Sequence, residues 1–449
     1  MGIILRPYQE DIFQKATKAF IGGAKGVLCC LPCRSGKSYI MARMIQGAKG
    51  NVLVLAHRHT LINQHKELLE SLGVLTDKVR VESVFTEASR LGRYAPDDVS
   101  LIIIDEAHLS EAASYRKVCE YYDCRRVLFT ASPARLDGKP LTLADTLITG
   151  ITANELIRMG AISDYDYYAP DIGIDTDKVE MVAGEYHNGQ LTDIMCQSAI
   201  YGDVLKYYLQ LGENRQAIAY CVSVKHSRQV ADMFNENGIS AISIDGGMSM
   251  KERDERMNLF KSGKAQILCN CNLISEGITL PNASVALLLR PTCSLPLFIQ
   301  QSCRVLTPVE GKKAVIIDYV NNVQKHGLPT DEHEWSLGEP VKKRKQYNED
   351  GTLSIRQCTE CFRCFKTAPK CPWCGKEYEV KGRELKQIQD VEFRKIEAIQ
   401  REEEEKQRKV ARMEVGQCKT IAELQQIAKA RGYAPGWVWQ MARVKNIRK

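Results

Sequence analysis

Long apolar runs are missing from this 449-residue sequence, and both its aromatic content and its net charge are low. No apolar run approaches the roughly 18 residues of a membrane-spanning helix, which argues against a transmembrane protein. The net charge of +7 permits a polyanionic partner but does not require one. The N-terminus reaches Arg6, Glu10 and Asp11 before an export signal could form. These absences predict a protein of the cytoplasm.

The composition is otherwise that of a globular protein of about three domains, with 44% apolar and 26% charged residues. Most of the 17 cysteines are scattered singly through apolar segments, so reduced thiols are expected rather than disulfides. Five of them crowd together between Cys358 and Cys374, which scatter does not explain. This cluster predicts a metal site.

Two series of short apolar runs alternate with longer helical stretches. The first series contains GVLCCLP, NVLVLAH, SLIIIDE and RRVLFTAS, and the second contains AIAYCVS, AISIDGG, AQILCNCN, ASVALLLRP and AVIIDYV. Buried parallel strands have this composition. The sequence therefore predicts an α/β fold with two parallel-sheet lobes in tandem, at residues 1–150 and 198–335. The polar stretch 151–197 between them is predicted to be a linker.

The composition changes after about residue 341. Residues 350–380 hold the cysteine cluster, 383–415 combine high charge with apolar residues at helical spacing, and 416–449 form a basic tail. We expect a small ribbon, one long solvated helix and a small helical tail, respectively. Trp437 and Trp439 in the tail suit either stacking on nucleic-acid bases or packing in a helical cap, and both interpretations stay open.

The segment LPCRSGKS, at residues 31–38, follows an apolar strand and precedes a helical stretch. In this context backbone N–H groups bind phosphates, an ammonium reaches the β and γ oxygens, and a hydroxyl holds Mg²⁺. Lys37 and Ser38 suit the last two roles, although Leu31 replaces the first glycine of a strict Walker A motif. A chance Gly-Lys-Ser after a strand is the alternative. The predicted nucleotide-binding loop comprises Pro32, Cys33, Arg34, Ser35, Gly36, Lys37 and Ser38.

A second motif, LIIIDEAH at residues 101–108, places Asp105 and Glu106 at the carboxyl end of a buried strand. An aspartate there can hold Mg²⁺, and the adjacent glutamate can orient and deprotonate an attacking water. Alone, such a pair is more often a solvated strand end. Together with the phosphate loop upstream, the pair predicts a nucleoside triphosphatase.

The cysteine cluster contains two Cys-x2-Cys pairs separated by a nine-residue arm: Cys358, Cys361, Cys371 and Cys374. This spacing is typical of a tetrahedral Zn²⁺ ribbon, and four thiolates leave no open position for catalysis. Cys364 offers an alternative first pair with Cys361, but the arm is then only six residues long, so we interpret it as the spare cysteine. We expect a structural zinc site.

Further motifs in a fixed order complete a resemblance to superfamily 2 helicases of the DEAH type, over about residues 3–335 and the cysteine cluster. LRPYQ with Gln9 resembles the glutamine motif, VLVLAHRHTLINQ motif Ia, TASPAR motif III and AYCVSVKHS motif IV. SEGITLP resembles motif V and FIQQSCRVLTP motif VI. The pattern looks closest to phage and bacterial DNA helicases of the UvsW, RecG and UvrB-like group.

The resemblance implies two RecA-like lobes with ATP and Mg²⁺ in the cleft between them. The residues it assigns to catalysis are Lys37, Asp105, Glu106 and Arg304; those it assigns to the nucleotide are Gln9, Arg6, Gly277 and Gln300; and those it assigns to Mg²⁺ are Ser38 and Asp105. It also implies a monomer that acts on forked or branched DNA in replication, recombination or repair, in a bacterial or phage-infected cell. Its DNA contacts are expected to be mainly to phosphates.

Two positions depart from the helicase pattern. Thr307 stands where motif VI usually has its outer arginine, and Thr279 where motif V usually has aspartate. Because such an arginine contributes about 10³ to 10⁵ in rate, hydrolysis is either slow or served by another arginine. A restriction-system motor subunit, an RNA helicase and a nucleic-acid-binding scaffold with little turnover therefore stay open as alternatives.

Overall fold

The structure is a computed structural model, and it describes residues 2–133, 140–170, 179–182, 184–196, 198–271, 280–337, 354–378, 418, 420–431 and 435–444. Met1–Glu379 form one compact unit and Val380–Lys449 form a second. Within these described ranges, no helix has both the length and the apolar character needed to cross a membrane.

The first half of the larger unit contains a six-stranded parallel sheet. Its strands are β1 (Gly26–Cys30), β2 (Asn51–Ala56), β3 (Val79–Ser83), β4 (Val99–Ile104), β5 (Arg125–Thr130) and β6 (Thr146–Thr149). They lie in the order β3-β2-β4-β5-β1-β6. The helices of this lobe are α1 (Pro7–Ile21), α2 (Lys37–Gly47), α3 (His59–Ser71), α4 (Val84–Ser89) and α5 (Ala113–Tyr122).

Both faces of this sheet are covered. In β1, Val27 and Cys29 belong to the core that α1, α2 and α3 share, whereas Leu28 belongs to the core with α5. Strands buried on both faces have continuous apolar sequences, which is why the sequence predicts β1, β2, β4 and β5. The strands at the two edges, β3 and β6, carry more polar residues and are not among those predicted.

The second half of the larger unit contains another six-stranded parallel sheet. Its strands are β7 (Tyr165–Tyr168), β10 (Ala217–Tyr220), β11 (Ala241–Ile244), β12 (Ile267–Asn270), β13 (Val285–Leu288) and β14 (Ala314–Asp318), in the order β11-β12-β10-β13-β14-β7. A short hairpin joins β8 (Met181–Val182) to β9 (Glu185–Tyr186). The helices of this lobe are α6 (Ala153–Arg158), α7 (Asn188–Met195), α8 (Ser198–Gly212), α9 (Val224–Glu236), α10 (Met250–Lys261), α11 (Leu295–Cys303) and α12 (Asn322–His326).

Strand β7 corrects the expectation that residues 151–197 only connect the lobes. It pairs in parallel with β14 and forms an edge of the second sheet. Tyr167 is buried there, and its hydroxyl donates a hydrogen bond to Asp318 (2.8 Å). Tyrosine is a good strand former, and the polar Asp166 between the tyrosines is held by Lys313 and Arg363. Part of the predicted linker therefore belongs to the second lobe.

A small ribbon at residues 354–378 packs against the second lobe. It contains the antiparallel strands β15 (Ile355–Gln357) and β16 (Cys364–Lys366). Ile355 and Cys364 belong to the apolar core of the second lobe, and Arg363 forms an antiparallel bridge with Tyr168 of β7. The ribbon thus extends the lobe on which it lies.

The second unit contains the helices α13 (Ile421–Arg431) and α14 (Pro435–Val444). They share a small core that includes Leu424, Ile427 and Val438, and Trp437 packs against it. This packing favours the helical-cap interpretation for Trp437. The side chain of Trp439 and the predicted helix 383–415 lie outside the described residues.

Candidate nucleotide and metal sites

The loop between β1 and α2 is a tight turn that ends at a helix N-terminus, as a phosphate site requires. Gly36 caps α2 with φ 80°, and a Cβ there would lie 2.4 Å from Gln9 Nε2. Glycine satisfies both constraints because it tolerates positive φ and has no Cβ. Arg34 also has a positive φ of 65°, and Ser35 N donates to the carbonyl oxygen of Pro32 (3.3 Å).

The start of α1 is attached to this loop. Gln9 Nε2 and the Tyr8 hydroxyl both donate to the carbonyl oxygen of Ser35, at 3.0 and 2.9 Å. Gln9 Oε1 in turn accepts a hydrogen bond from Arg6 N (2.9 Å). Gln9 and Arg6 therefore lie beside the loop. The sequence analysis misses Tyr8, whose only signal is its position next to Gln9.

Lys37, the first residue of α2, stays charged within the loop. Burial disfavours its ammonium form, but the negative charges of Cys33, Glu106 and Asp105 outweigh burial, and the pKa of Lys37 is raised. A phosphate-binding lysine must carry its proton, so this environment suits the role. Ser38 follows as the second residue of α2 and is half-buried.

Asp105 forms a buried pair with His65 of α3. His65 Nε2–H donates to Asp105 Oδ2 (3.0 Å), and Asp105 Oδ1 accepts from Glu106 N (3.0 Å). Burial alone would raise the pKa of Asp105, but His65 and Lys37 outweigh burial and the pKa is lowered. The carboxylate is thus ionised and oriented, as a Mg²⁺ ligand must be. The sequence analysis misses His65, although it lies on the apolar face of α3 directly after the motif Ia segment.

Glu106 faces the second lobe. Gln300 Nε2 of α11 donates to Glu106 Oε2 (3.3 Å), and His108 Nδ1 lies 3.5 Å from the same oxygen. The backbone of Glu106 has φ 54° and ψ 59°, a left-handed conformation that is unfavourable for a residue with a side chain. Such strain is found most often at functional sites.

The phosphate loop also contacts the second lobe directly. Arg34 Nη2 donates to the carbonyl oxygen of Arg304 (3.5 Å), and the thiols of Cys33 and Cys303 share a hydrogen bond. Burial and the charge of Arg304 lower the pKa of Arg34 to about 10. The structure therefore brings Arg304 and Gln300 of the second lobe to the loop of the first.

Thr307, at the position of the missing arginine, is tied to the second lobe. It follows the short 3₁₀ turn Arg304–Leu306, and its carbonyl oxygen accepts hydrogen bonds from Ser163 Oγ (3.0 Å) and Lys312 Nζ (3.2 Å). Both partners are residues of the same lobe. The motif V residues Gly277 and Thr279 lie outside the described residues.

Four cysteine sulfurs of the ribbon lie within 4.8 Å of one another: those of Cys358, Cys361, Cys371 and Cys374. The sulfurs of Cys358 and Cys374 are 3.4 Å apart, and those of Cys361 and Cys371 are 3.8 Å apart. Tetrahedral Zn²⁺ with Zn–S bonds of about 2.3 Å sets its sulfurs about 3.8 Å apart, so the four thiols fit this ion. The sulfur of Cys364 is not in the group, and its side chain packs in the core of the second lobe.

Comparison with known proteins identifies the family. Two family models match the chain: type III restriction enzyme, res subunit, at residues 2–135, and helicase conserved C-terminal domain, at residues 201–307. A 51.5 kDa protein of a Lactococcus phage (isolate 7-9) is 35% identical over 374 residues, which cover 82% of this chain and 81% of the phage protein. The chain belongs to helicase superfamily 2. It is thus an ATP-dependent helicase that uses ATP and Mg²⁺.

Named relatives of this helicase come from yeast and archaea. IRC3 of Saccharomyces cerevisiae, a candidate ATP-dependent helicase, is 27% identical over 71% of this chain, but the match covers only 51% of IRC3. The DNA 3'-5' translocase XPB2 of Sulfurisphaera tokodaii is 22% identical over 71% of this chain and 82% of XPB2. The chain therefore spans about half the length of the yeast relative.

Solved structures confirm the fold of the helicase. A fragment of a candidate HsdR subunit of a type I restriction enzyme from Vibrio vulnificus YJ016 has a TM-score of 0.56 and 18% identity, covering 71% of this chain and 65% of the fragment. A single-substitution variant of S. cerevisiae Dbp5 bound to RNA and ADP BeF3 has a TM-score of 0.50 and 16% identity, covering 69% and 83%. The predicted pair of parallel-sheet α/β lobes is thus confirmed as RecA-like.

Proposed function

We propose that this helicase is a DNA translocase whose ATP binds between the two lobes. The hydrogen bond from Gln300 to Glu106 carries the proposal, because it joins the second lobe to the carboxylate suited to activate water. The loop that contains Lys37 lies at the same seam, where Arg34 reaches the backbone of Arg304. A ligand bound there contacts both lobes, so its binding and hydrolysis can change their separation.

The first lobe supplies the groups that bind the triphosphate. The N–H groups of the loop and of the start of α2 bind phosphate oxygens, and the Lys37 ammonium binds the β and γ phosphates. Ser38 and Asp105 hold Mg²⁺, which neutralises charge on the phosphates when it is bound. Glu106 orients the attacking water and takes its proton. Gln9 lies on the adenine side of the loop, where the glutamine motif acts.

Two arginines serve the transferred phosphate in this proposal. Arg304 extends from the second lobe at the position of the first motif VI arginine. Arg34 extends from the loop and lies against the Arg304 backbone. Because Thr307 carries no charge, Arg34 supplies the second guanidinium, and a guanidinium can bind two phosphate oxygens at once.

DNA as the track is supported by the archaeal relative, which is a DNA translocase by name. The finer assignment, to the DEAH-type UvsW, RecG and UvrB-like group and to forked or branched DNA in replication, recombination or repair, rests on the motif resemblance. We propose a monomer in the cytoplasm of a bacterial or phage-infected cell, which the phage relative supports. A restriction-system motor is the second candidate, because one matching family model is a type III restriction subunit.

We also propose that the four-cysteine group holds a structural zinc ion. The two measured sulfur separations suit tetrahedral coordination, and four thiolates leave no open position for a substrate. The ribbon contributes Ile355 and Cys364 to the core of the second lobe. Loss of the ion therefore affects that lobe as well as the ribbon.

Phosphate release measured with single-stranded, duplex, forked and four-way DNA, and with RNA, tests the function. We expect DNA to stimulate release, with the largest effect from branched substrates. Lys37→Ala should lower turnover by about 10² to 10³. Lys15→Ala, which removes only an exposed ion pair with Asp11, should leave turnover unchanged.

Each outcome of this panel discriminates between the candidates. No stimulation by any nucleic acid contradicts a motor and favours a scaffold. Stimulation by RNA alone contradicts the DNA assignment. Stimulation by linear duplex DNA with no preference for forks favours the restriction-system motor over the branch-acting helicase.

A further inference from the structure

Two cysteines meet where the lobes meet. Cys33 lies in the phosphate loop of the first lobe, and Cys303 is the last residue of α11 in the second. Cys303 is buried in the core of the second lobe, and Cys33 packs against that core. Their thiols share a hydrogen bond, so the two sulfur atoms are in direct contact across the seam.

The surroundings make the two sulfurs chemically different. The hydrogen bond from Cys303 and the positive charges of Lys37, Arg304 and Arg34 outweigh burial and lower the pKa of Cys33 to about 6. The same hydrogen bond, together with burial, raises the pKa of Cys303 well above its usual value. At neutral pH a thiolate at Cys33 therefore lies against a neutral thiol at Cys303. A half-exposed thiolate next to a second cysteine is the arrangement of a site that oxidises reversibly.

We propose that Cys33 and Cys303 form a redox modification site, which a hydroperoxide converts into a disulfide that joins the two lobes and closes the nucleotide site. This inference rests on the proposed function of the seam. The Cys33 thiolate attacks one peroxide oxygen, the O–O bond breaks, and a sulfenic acid and, with hydrogen peroxide, one water are formed. The Cys303 sulfur then attacks the Cys33 sulfur and displaces the hydroxyl as a second water. Two electrons pass in total from the two sulfurs to one peroxide.

The disulfide would stop the motor for two reasons. It would join a loop residue that precedes Lys37 to the residue before Arg304, so the lobes could not separate. It would also place a covalent bond beside the phosphate loop, where the nucleotide enters. Reduction of the bond restores both thiols, so the inhibition is reversible.

A second pair of contacting cysteines provides a matched control. Cys221 and Cys269 also share a hydrogen bond, but both are fully buried within the second lobe. Burial and the neighbouring thiol raise the pKa of Cys221 well above its usual value. This pair has neither the thiolate nor the access that peroxide requires, so it should stay reduced.

The test uses the full-length, zinc-loaded protein and hydrogen peroxide at low molar excess. Free thiols are alkylated, and mass spectrometry of the tryptic peptides is used to find the crosslink. Fragmentation is needed because Cys29 and Cys30 share the tryptic peptide of Cys33, and Cys293 shares that of Cys303. We expect a Cys33–Cys303 disulfide, a loss of at least about tenfold in DNA-stimulated phosphate release, and recovery with dithiothreitol.

Three variants complete the experiment, and each is compared with its own reduced form. Cys303→Ser and Cys33→Ser should both keep their phosphate release after peroxide treatment, whereas Cys269→Ser should lose it as the unchanged protein does. Absence of the Cys33–Cys303 crosslink, or equal inactivation of Cys303→Ser, overturns the proposal. If the reduced protein releases no phosphate, the proposed function fails, while the crosslink is still decided by mass spectrometry.

Discussion

Gly36→Ala tests the geometry of the phosphate loop in the absence of ligands. An alanine in this left-handed conformation costs about 1–2 kcal/mol. The new Cβ would lie 2.4 Å from Gln9 Nε2, so the Gln9 amide must move and lose its hydrogen bond to Ser35. Gln9 is buried, and a buried amide without a partner costs about 1–3 kcal/mol. We therefore expect the unfolding free energy to fall by about 2–5 kcal/mol.

Two comparisons separate the backbone cost from the contact with Gln9. Gly73 has a similar φ of 64°, and a Cβ there meets nothing within 4 Å. Gly73→Ala should therefore cost only about 1–2 kcal/mol. Gly36→Ala in a Gln9→Ala background should also cost only this amount, because the amide is absent. The double-mutant cycle should then give a coupling of about 1–3 kcal/mol between Gln9 and Gly36.

Urea denaturation followed by circular dichroism gives the unfolding free energies, and a fluorescent ATP analogue gives the affinity of each folded variant. We expect Gly36→Ala to weaken binding of the analogue, while Gly73→Ala binds it as the unchanged protein does. The reasoning is refuted if Gly36→Ala costs no more than Gly73→Ala, or if its cost is the same with and without the Gln9 amide.

Three further predictions concern the ribbon, the second lobe and the seam. Cys361→Ser should abolish bound zinc in elemental analysis, whereas Cys364→Ser should retain it because that sulfur lies outside the group; equal retention by both contradicts the ligand assignment. Burial lowers the pKa of His226 from 6.5 to about 4, so only the unfolded chain takes up this proton between those pH values. The unfolding free energy should fall by about 3 kcal/mol as the pH drops through this range, and His226→Gln, but not the exposed His59→Gln, should remove that dependence. Gln300→Ala should lower kcat by about tenfold or more, since it removes an interaction that orients the catalytic carboxylate, with little change in ATP affinity; weaker ATP binding at an unchanged kcat would contradict this role.

The parts of the fold that the sequence predicts are those with a strong local signal. Strands β1, β2, β4 and β5 are buried on both faces and therefore appear as apolar runs. The edge strands lack this signal, because their pairing depends on neighbours that are distant along the chain. Tyr165–Tyr168 is the clearest case, since it joins β14 only after the whole second lobe has been assembled.

The site divides in the same way. Lys37, Asp105 and Glu106 are predictable because each lies in a short segment whose chemistry is contained in consecutive residues. The partner of Asp105 is not, because His65 comes from a helix elsewhere in the lobe and its spacing fits an ordinary core histidine equally well. The contact between Cys33 and Cys303 is likewise invisible in the sequence, because it exists only when the two lobes meet.

The ribbon also determines how the second sheet ends. Strand β7 lies at the border of that sheet, and the bridge from Arg363 to Tyr168, with the ion pair to Asp166, covers part of it. A chain shortened to the two lobes would leave a tyrosine-rich strand with unpaired backbone groups, which is a template for pairing with a second copy. Residues 354–378 thus protect the motor from self-association and aggregation, independently of any role in binding nucleic acid.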